Sequence, residues 1–213
     1  MLKGKRLSIL GDSISTYQGV SNDSTANSST LFNPYHYRPP FPLEKTYWMQ
    51  LIKRFGMTLC VNNSWSGGNL SGKDDESSGL NRANQLSNNA NEKPDFIIVF
   101  MGLNDLGRLI KPEVFIPDYE KTLLILKENY PSAKVCCVNM PDRDSWFTKR
   151  AMIFNQGIEN AANATGENFF VADLFSRFDE DSYYDNTTDG LHPDEDGMRM
   201  IAEAIAESIE RNL

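Results

Sequence analysis

Apolar residues along this chain gather in short unbroken runs set far apart. An antiparallel meander would instead alternate apolar and polar positions within each strand. Five runs rich in Val, Ile, Leu or Phe stand out: Leu7–Leu10, Leu59–Asn62, Phe96–Met101, Val135–Met140 and Phe169–Ala172. Each has the length of a strand buried on both faces, and each ends at turn-forming residues. Between them apolar residues recur at helical spacing: Tyr47, Trp48, Leu51, Ile52 and Phe55, then Tyr119, Leu123, Leu126 and Tyr130, then Phe147, Ala151, Phe154 and Ile158. Met198, Ile201, Ile205 and Ile209 predict a closing helix, opened by Pro193 with Asp194, Glu195 and Asp196 in its first turn.

Alternation of this kind predicts the α/β class, with a mostly parallel five-stranded sheet, helices on both faces and right-handed crossovers. In such a sheet function belongs at the carboxyl ends of the strands. Two stretches break the pattern: the Ser/Asn-rich then Pro/aromatic-rich segment Gly19 to Pro42, and the Gly/Ser/Asn-rich segment Gly67 to Asn91. Both follow strands, so both are expected as loops at that edge. No repeat or linker interrupts the chain, which reads as a single domain over 1–213 with a loop insertion at about 19–42.

Composition narrows the partners. Among 213 residues, 29 acidic against 21 basic side chains give a net charge of −8, which opposes a phosphate backbone or an anionic membrane. A small-molecule partner is expected, with no nucleic acid and no membrane. No apolar run approaches the roughly 20 residues that span a bilayer. Met1 to Leu10 carries no small-residue cleavage pattern and reads as a first strand, so the expected compartment is the cytoplasm. Cys60, Cys136 and Cys137 lie in strand-like stretches without metal-ligand spacing, as reduced core residues would. Adjacent Cys136 and Cys137 point to opposite faces of a strand, so at most one could face a site.

Candidate chemistry collects at the strand ends. Gly11-Asp12-Ser13 closes the first strand and presents Ser13 where a nucleophile belongs. A serine hydroxyl needs a base, and the chain has two histidines, His36 and His192. His192 follows Asp189 by three residues in Asp189-Gly190-Leu191-His192-Pro193, near enough for the carboxylate to hold one imidazole nitrogen while the other takes the serine proton. Donors for a developing oxyanion are available after the third strand, where Asn104 lies in Gly102-Leu103-Asn104-Asp105, and after the second, at Gly67 or Gly68. Nucleophile, donors and Asp/His pair thus each fall at the end of a different predicted strand.

The set of GDS near the start, a glycine after strand two, GxND after strand three and DxxHP near the end resembles the SGNH/GDSL hydrolase family. The four blocks span residues 11 to 193 in the family's order. The resemblance implies a flavodoxin-like three-layer α/β/α sandwich and an esterase-type serine hydrolase with no metal or cofactor. It also implies Ser13 as nucleophile and oxyanion donor, Gly67 and Asn104 as further donors, His192 as base and Asp189 as its orienting acid. Gly11-Asp12-Ser13-Ile14-Ser15 is not the Gly-x-Ser-x-Gly elbow of the α/β-hydrolases. The doubled glycine leaves Gly68 as an alternative to Gly67.

An acyl-enzyme route on small acyl esters of carbohydrates is the expected activity, since no extended apolar lid-like segment favours long acyl chains. Tyr35, Tyr37, Trp65 and Trp146 are candidates to stack on sugar faces. Asp142, Arg143 and Asp144 follow the fourth strand and could line the pocket or cap a helix. The rival readings are a lipase- or thioesterase-type acylhydrolase, an acyltransferase and a non-catalytic carbohydrate-binding protein on the same fold.

Overall fold

A computed structural model of the chain describes residues 2–17, 39–88, 90–143 and 145–213. The five apolar runs form strands β1 (Arg6–Gly11), β2 (Thr58–Ser64), β3 (Phe96–Phe100), β4 (Lys134–Val138) and β5 (Phe169–Ala172). All neighbours pair in parallel, in the order β2-β1-β3-β4-β5. This is the flavodoxin-like order, in which the chain reverses direction across the sheet between β1 and β3 and opens a crevice at their carboxyl ends.

The helices are α1 (Tyr47–Phe55), α2 (Gly79–Arg82), α3 (Leu103–Gly107), α4 (Pro112–Asn129), α5 (Thr148–Thr165), α6 (Glu180–Asp185) and α7 (Glu195–Asn212), with a 3-10 turn at Leu43–Lys45. Right-handed crossovers on either side of the reversal send helices to opposite faces. Accordingly α1 packs with α7 on one face and α4 with α5 on the other. Phe115 of α4 and Phe154 of α5 stack with ring centroids 4.2 Å apart, and Ile97, Ile98, Val99, Val135 and Cys136 between the two layers have no exposed surface. Among the described residues no helix is long and apolar enough to cross a membrane.

The closing helix starts two residues later than Pro193. Asp194 is its cap, the carboxylate accepting the Gly197 N–H at 2.9 Å, while Pro193 pairs with Thr187 ahead of it. The segment Gly67 to Asn91 is not loop throughout, because it carries α2, a single turn too short to leave a periodic signature. Of the insertion, 19–38 lies outside the described residues. Phe41, near the end of the insertion, packs into the core at 4% exposure.

Candidate active site

β1 ends on Gly11 because nothing larger fits: a Cβ there would stand 2.5–2.6 Å from side-chain atoms of Ser15 and Ser64. The chain then turns sharply. Asp12 Oδ1 accepts the Ile14 N–H at 3.0 Å, its carbonyl accepts the Ser15 N–H at 3.1 Å, and the Ser13 carbonyl accepts the Thr16 N–H and hydroxyl. Ser15 in turn shares a 2.7 Å hydrogen bond with the buried Tyr47 hydroxyl. Ser13 stands at the crest of this turn, nearly buried, with its hydroxyl toward the carboxyl edge of the sheet.

From the other side comes the loop between α6 and α7. Asp189 Oδ1 accepts the backbone N–H groups of Leu191 at 3.0 Å and His192 at 2.7 Å, which fold 189–192 into a compact turn. The Tyr183 hydroxyl anchors the turn by donating to the Leu191 carbonyl at 2.7 Å. Asp189 Oδ2 lies 2.7 Å from His192 Nδ1, and His192 Nε2 lies 3.0 Å from Ser13 Oγ. Partial burial pushes the Asp189 carboxyl up, but the N–H groups of His192 and Leu191 and the imidazole together hold it below its usual range. The arrangement can draw the proton from Ser13 and stabilise the imidazolium that results.

Two further strand ends close the crevice. After β2, the Trp65 N–H donates to the Gly11 carbonyl at 3.2 Å and the Gly68 N–H to the Trp65 carbonyl at 2.9 Å. Gly67 occupies the left-handed region at φ +74°, which a side chain would strain. After β3, Asp105 of α3 is fully buried and takes the N–H groups of Leu70 and Ser71, pinning the post-β2 loop to α3. Asn104 beside it donates through Nδ2 to Asp12 Oδ2 at 3.2 Å and to the Gly68 carbonyl at 3.0 Å. Among the described residues, the backbone N–H groups of Ser13 and Gly67 donate to no neighbour, whereas that of Gly68 is spent on Trp65. Of the two glycines, Gly67 therefore has the N–H to offer.

The sequence profile of the GDSL-like lipase/acylhydrolase family matches residues 9–200. The chain belongs to that family. No curated protein matches it. Among solved structures, a candidate GDSL-like lipase from Bacteroides ovatus is 22% identical, with TM-score 0.72 over 98% of this chain and 99% of that one. The psychrotrophic esterase EstA from Pseudoalteromonas sp. is 17% identical, with TM-score 0.66 and 97% of each chain covered. A family two carbohydrate esterase from Clostridium thermocellum is 16% identical, with TM-score 0.71 over 97% of this chain and 63% of that one. At these identities the structural likeness shows the fold the GDSL-family chain adopts.

The structure brings Ser13, His192, Asp189, Asn104 and Gly67 to one edge of the sheet. The aromatic candidates fare differently. Tyr35 and Tyr37, with His36, lie outside the described residues. Trp65 is half-buried in the post-β2 loop, and Trp146 stands 81% exposed beyond β4. Asp142 accepts the Thr148 hydroxyl at 2.7 Å beside the start of α5 but does not cap it, since the cap position is Phe147 and takes no side-chain hydrogen bond, and Asp144 lies outside the described residues. Arg143 lies over the Phe147 ring and lines an open cleft of about 680 Å³ with Asp181, Tyr184, Asp185, Asp189 and Gly190. Arg143 is thus the pocket-lining candidate of that trio, whereas the α6 wall of the cleft and the buried Arg82, which donates to the Gly11 carbonyl at 3.0 Å and to the Asn63 carbonyl, are not foreshadowed in the sequence. Asp12 was legible only as part of the Gly-Asp-Ser turn. Among the described residues no cluster of three or more His, Cys, Asp or Glu side chains could hold a metal ion.

Proposed function

We propose that this chain is a serine ester hydrolase that works through an acyl-enzyme, and that it takes small acyl esters of carbohydrates. The observation that carries the reading is the hydrogen-bonded line Ser13 Oγ to His192 Nε2 at 3.0 Å and His192 Nδ1 to Asp189 at 2.7 Å. Ser13 Oγ attacks the ester carbonyl as His192 Nε2 takes its proton, and Asp189 stabilises the imidazolium. The carbonyl oxygen becomes an oxyanion, received by the N–H groups of Ser13 and Gly67 and the Asn104 amide. His192 returns the proton to the leaving alkoxide. Water activated by the same histidine then releases the acid and restores Ser13. No step calls for a cofactor.

The small-acyl, sugar-ester part of the reading rests on the surroundings. The leaving alcohol must lie within reach of His192, and the cleft beside Asp189 offers the exposed ring of Tyr184 with Asp181, Asp185 and Arg143 around it. An aromatic face among carboxylates and a guanidinium suits a polyhydroxylated alcohol, which stacks one face and donates and accepts hydrogen bonds at its rim. Exposed Trp146 offers a second stacking surface near the same edge. One structural relative is a carbohydrate esterase, in agreement with this assignment. The buried thiols of Cys60, Cys136 and Cys137 suit the reducing cytoplasm.

Hydrolysis of 4-nitrophenyl esters from acetate to decanoate, by the wild type and by Ser13→Ala, tests the proposal. Turnover that falls with chain length and drops by about 10⁴-fold or more in Ser13→Ala is expected. Turnover rising with chain length would move the substrate to lipids or thioesters. Activity retained in Ser13→Ala would overturn the mechanism, and none in either protein, on these esters or on acetylated sugars, would leave a binding protein.

A further inference from the structure

Beneath the proposed oxyanion hole lies a set of buried charges that the mechanism above does not use. Asp12 is 2% exposed, Asp105 and Arg82 are equally secluded, and three strand ends meet around them. Arg82 directs its guanidinium to carbonyls of Gly11, Asn63 and Ser77, so it braces the ends of β1 and β2 and forms no direct ion pair among the described residues. Its charge still needs a counterion in this setting. Asp12 fills that role at one remove, with both oxygens engaged: Oδ1 holds the Ile14 N–H of the nucleophile turn and Oδ2 holds the Asn104 amide.

The Asn104 amide is fully engaged as well. Its two Nδ2 hydrogens go to Asp12 and to the Gly68 carbonyl, so neither is spare for an oxyanion in this arrangement. One bond must be exchanged as the oxyanion forms. A carboxylate holds a donor more strongly than a neutral carbonyl, so the bond to Gly68 is the one to give way.

Granting Ser13 and Asn104 the roles proposed above, we infer that Asp12 is the positioning residue of the oxyanion hole: as a buried anion it keeps one Asn104 hydrogen throughout, fixing the amide plane relative to the Ser13 turn while the other hydrogen swings from Gly68 to the substrate oxygen. Burial, the largest influence, pushes the Asp12 carboxyl up to about 7, against the pull of the Ile14 N–H and Arg82. The groups facing it are Arg82 from α2, Asp105 from α3, Tyr47 from α1 and Tyr183 from α6, with His192 across the site. Ionised Asp12 accepts from both of its donors. Once protonated it holds Asn104 less firmly, so the hole is expected to tighten as pH rises through neutrality.

A double-mutant cycle with Asp12→Asn and Asn104→Ala separates positioning from bulk structure. Asp12→Asn alone should lower kcat by about 100-fold with KM within about threefold, because the interaction lost matters mainly in the transition state. In the Asn104→Ala background the same substitution should cost less than about threefold, because its route to the oxyanion is already gone. Additive losses, or a change confined to KM, would overturn the inference. So would unaltered kinetics in Asp12→Asn. Should the variants fail to fold, or the wild type turn over no ester, NMR of the wild type decides. The Asn104 side-chain amide hydrogens and the Asp12 carboxyl carbon should titrate with one midpoint near neutrality. Independent titrations, or none, would overturn the coupling, whereas a shared midpoint without ester turnover would keep it and remove the hydrolase reading instead.

Discussion

Two aspartates stand one bond away from the proposed chemistry, and the protein treats them oppositely. Asp12 precedes the nucleophile at the end of a central strand, buried among side chains from several elements, and its carboxyl is pushed up to about 7. Asp189 serves the histidine from a loop, with nearly half its side chain in solvent and its carboxyl held low by its own turn. Residue type is identical, so environment alone makes the difference. Desolvation wins where the fold closes over a carboxyl, whereas at Asp189 it is outweighed by the combined backbone N–H groups and imidazole of the four-residue turn 189–192. The nucleophile side is thus fixed by tertiary packing, while the base side is built locally and leans on α6 through the Tyr183 hydroxyl.

The contrast makes distinct predictions. The largest effect belongs to the exposed aspartate: Asp189→Asn should cost about 10⁴-fold in kcat, since an amide no longer fixes the tautomer or steadies the imidazolium. Its melting temperature at neutral pH should fall only slightly, because nearly half the side chain is in solvent and an amide oxygen still accepts the Leu191 and His192 N–H groups. A loss below about tenfold would break the comparison by showing that the histidine needs no acid. On the buried side, Asn104→Ala removes one oxyanion donor and should lower kcat by about 10² to 10³-fold, with substrate affinity little changed.

Stability against pH should separate the two carboxyls by sign. An unfolded Asp titrates near about 3.9. Burial pushes the folded Asp12 carboxyl up to about 7, so between those values the native state binds more protons and stability falls as pH rises, levelling off above pH 7. Asp189 works the other way, contributing stability above the unfolded value that is lost as pH falls through its lowered native one. Melting curves from pH 4 to 8 should therefore show Asp12→Asn gaining on the wild type as pH rises, by an amount on the order of a few kcal/mol. Parallel curves would mean that Asp12 is not a desolvated acid. The smallest effect is at the rim. Trp146→Ala should raise KM for an acetylated sugar by a few fold and leave melting unchanged, because the side chain is 81% exposed. An unchanged KM would move sugar stacking to Tyr184 and the cleft beside Asp189.

The same contrast explains what could be read from the sequence. All five strands are visible as apolar runs because both faces of a parallel sheet are buried, and the long helices because one face of each is. The Asp189–His192 turn is legible because its bonds join residues three apart in the chain. Asp12 could be seen as a turn residue and not as a buried acid, because its partner Asn104 and neighbour Arg82 are brought to it by β3 and α2. The short helices α2, α3 and α6 leave too few residues for a period, and so Tyr184 and the α6 wall of the cleft have no signature, whereas Arg143 opposite them does. Pro193 suggested a helix start, but the side-chain cap at Asp194 set it instead.

The central claim is that Ser13 carries the acyl group, and trapping that intermediate tests it most directly. The protein should be mixed with a rapidly reacting acetate ester, quenched in acid within the first turnover and digested for mass spectrometry. The account predicts acetyl on the peptide containing Ser13, and none when Ser13→Ala is treated in the same way. Acetyl on another residue in step with turnover, or ester cleavage by Ser13→Ala at the wild-type rate, would contradict it.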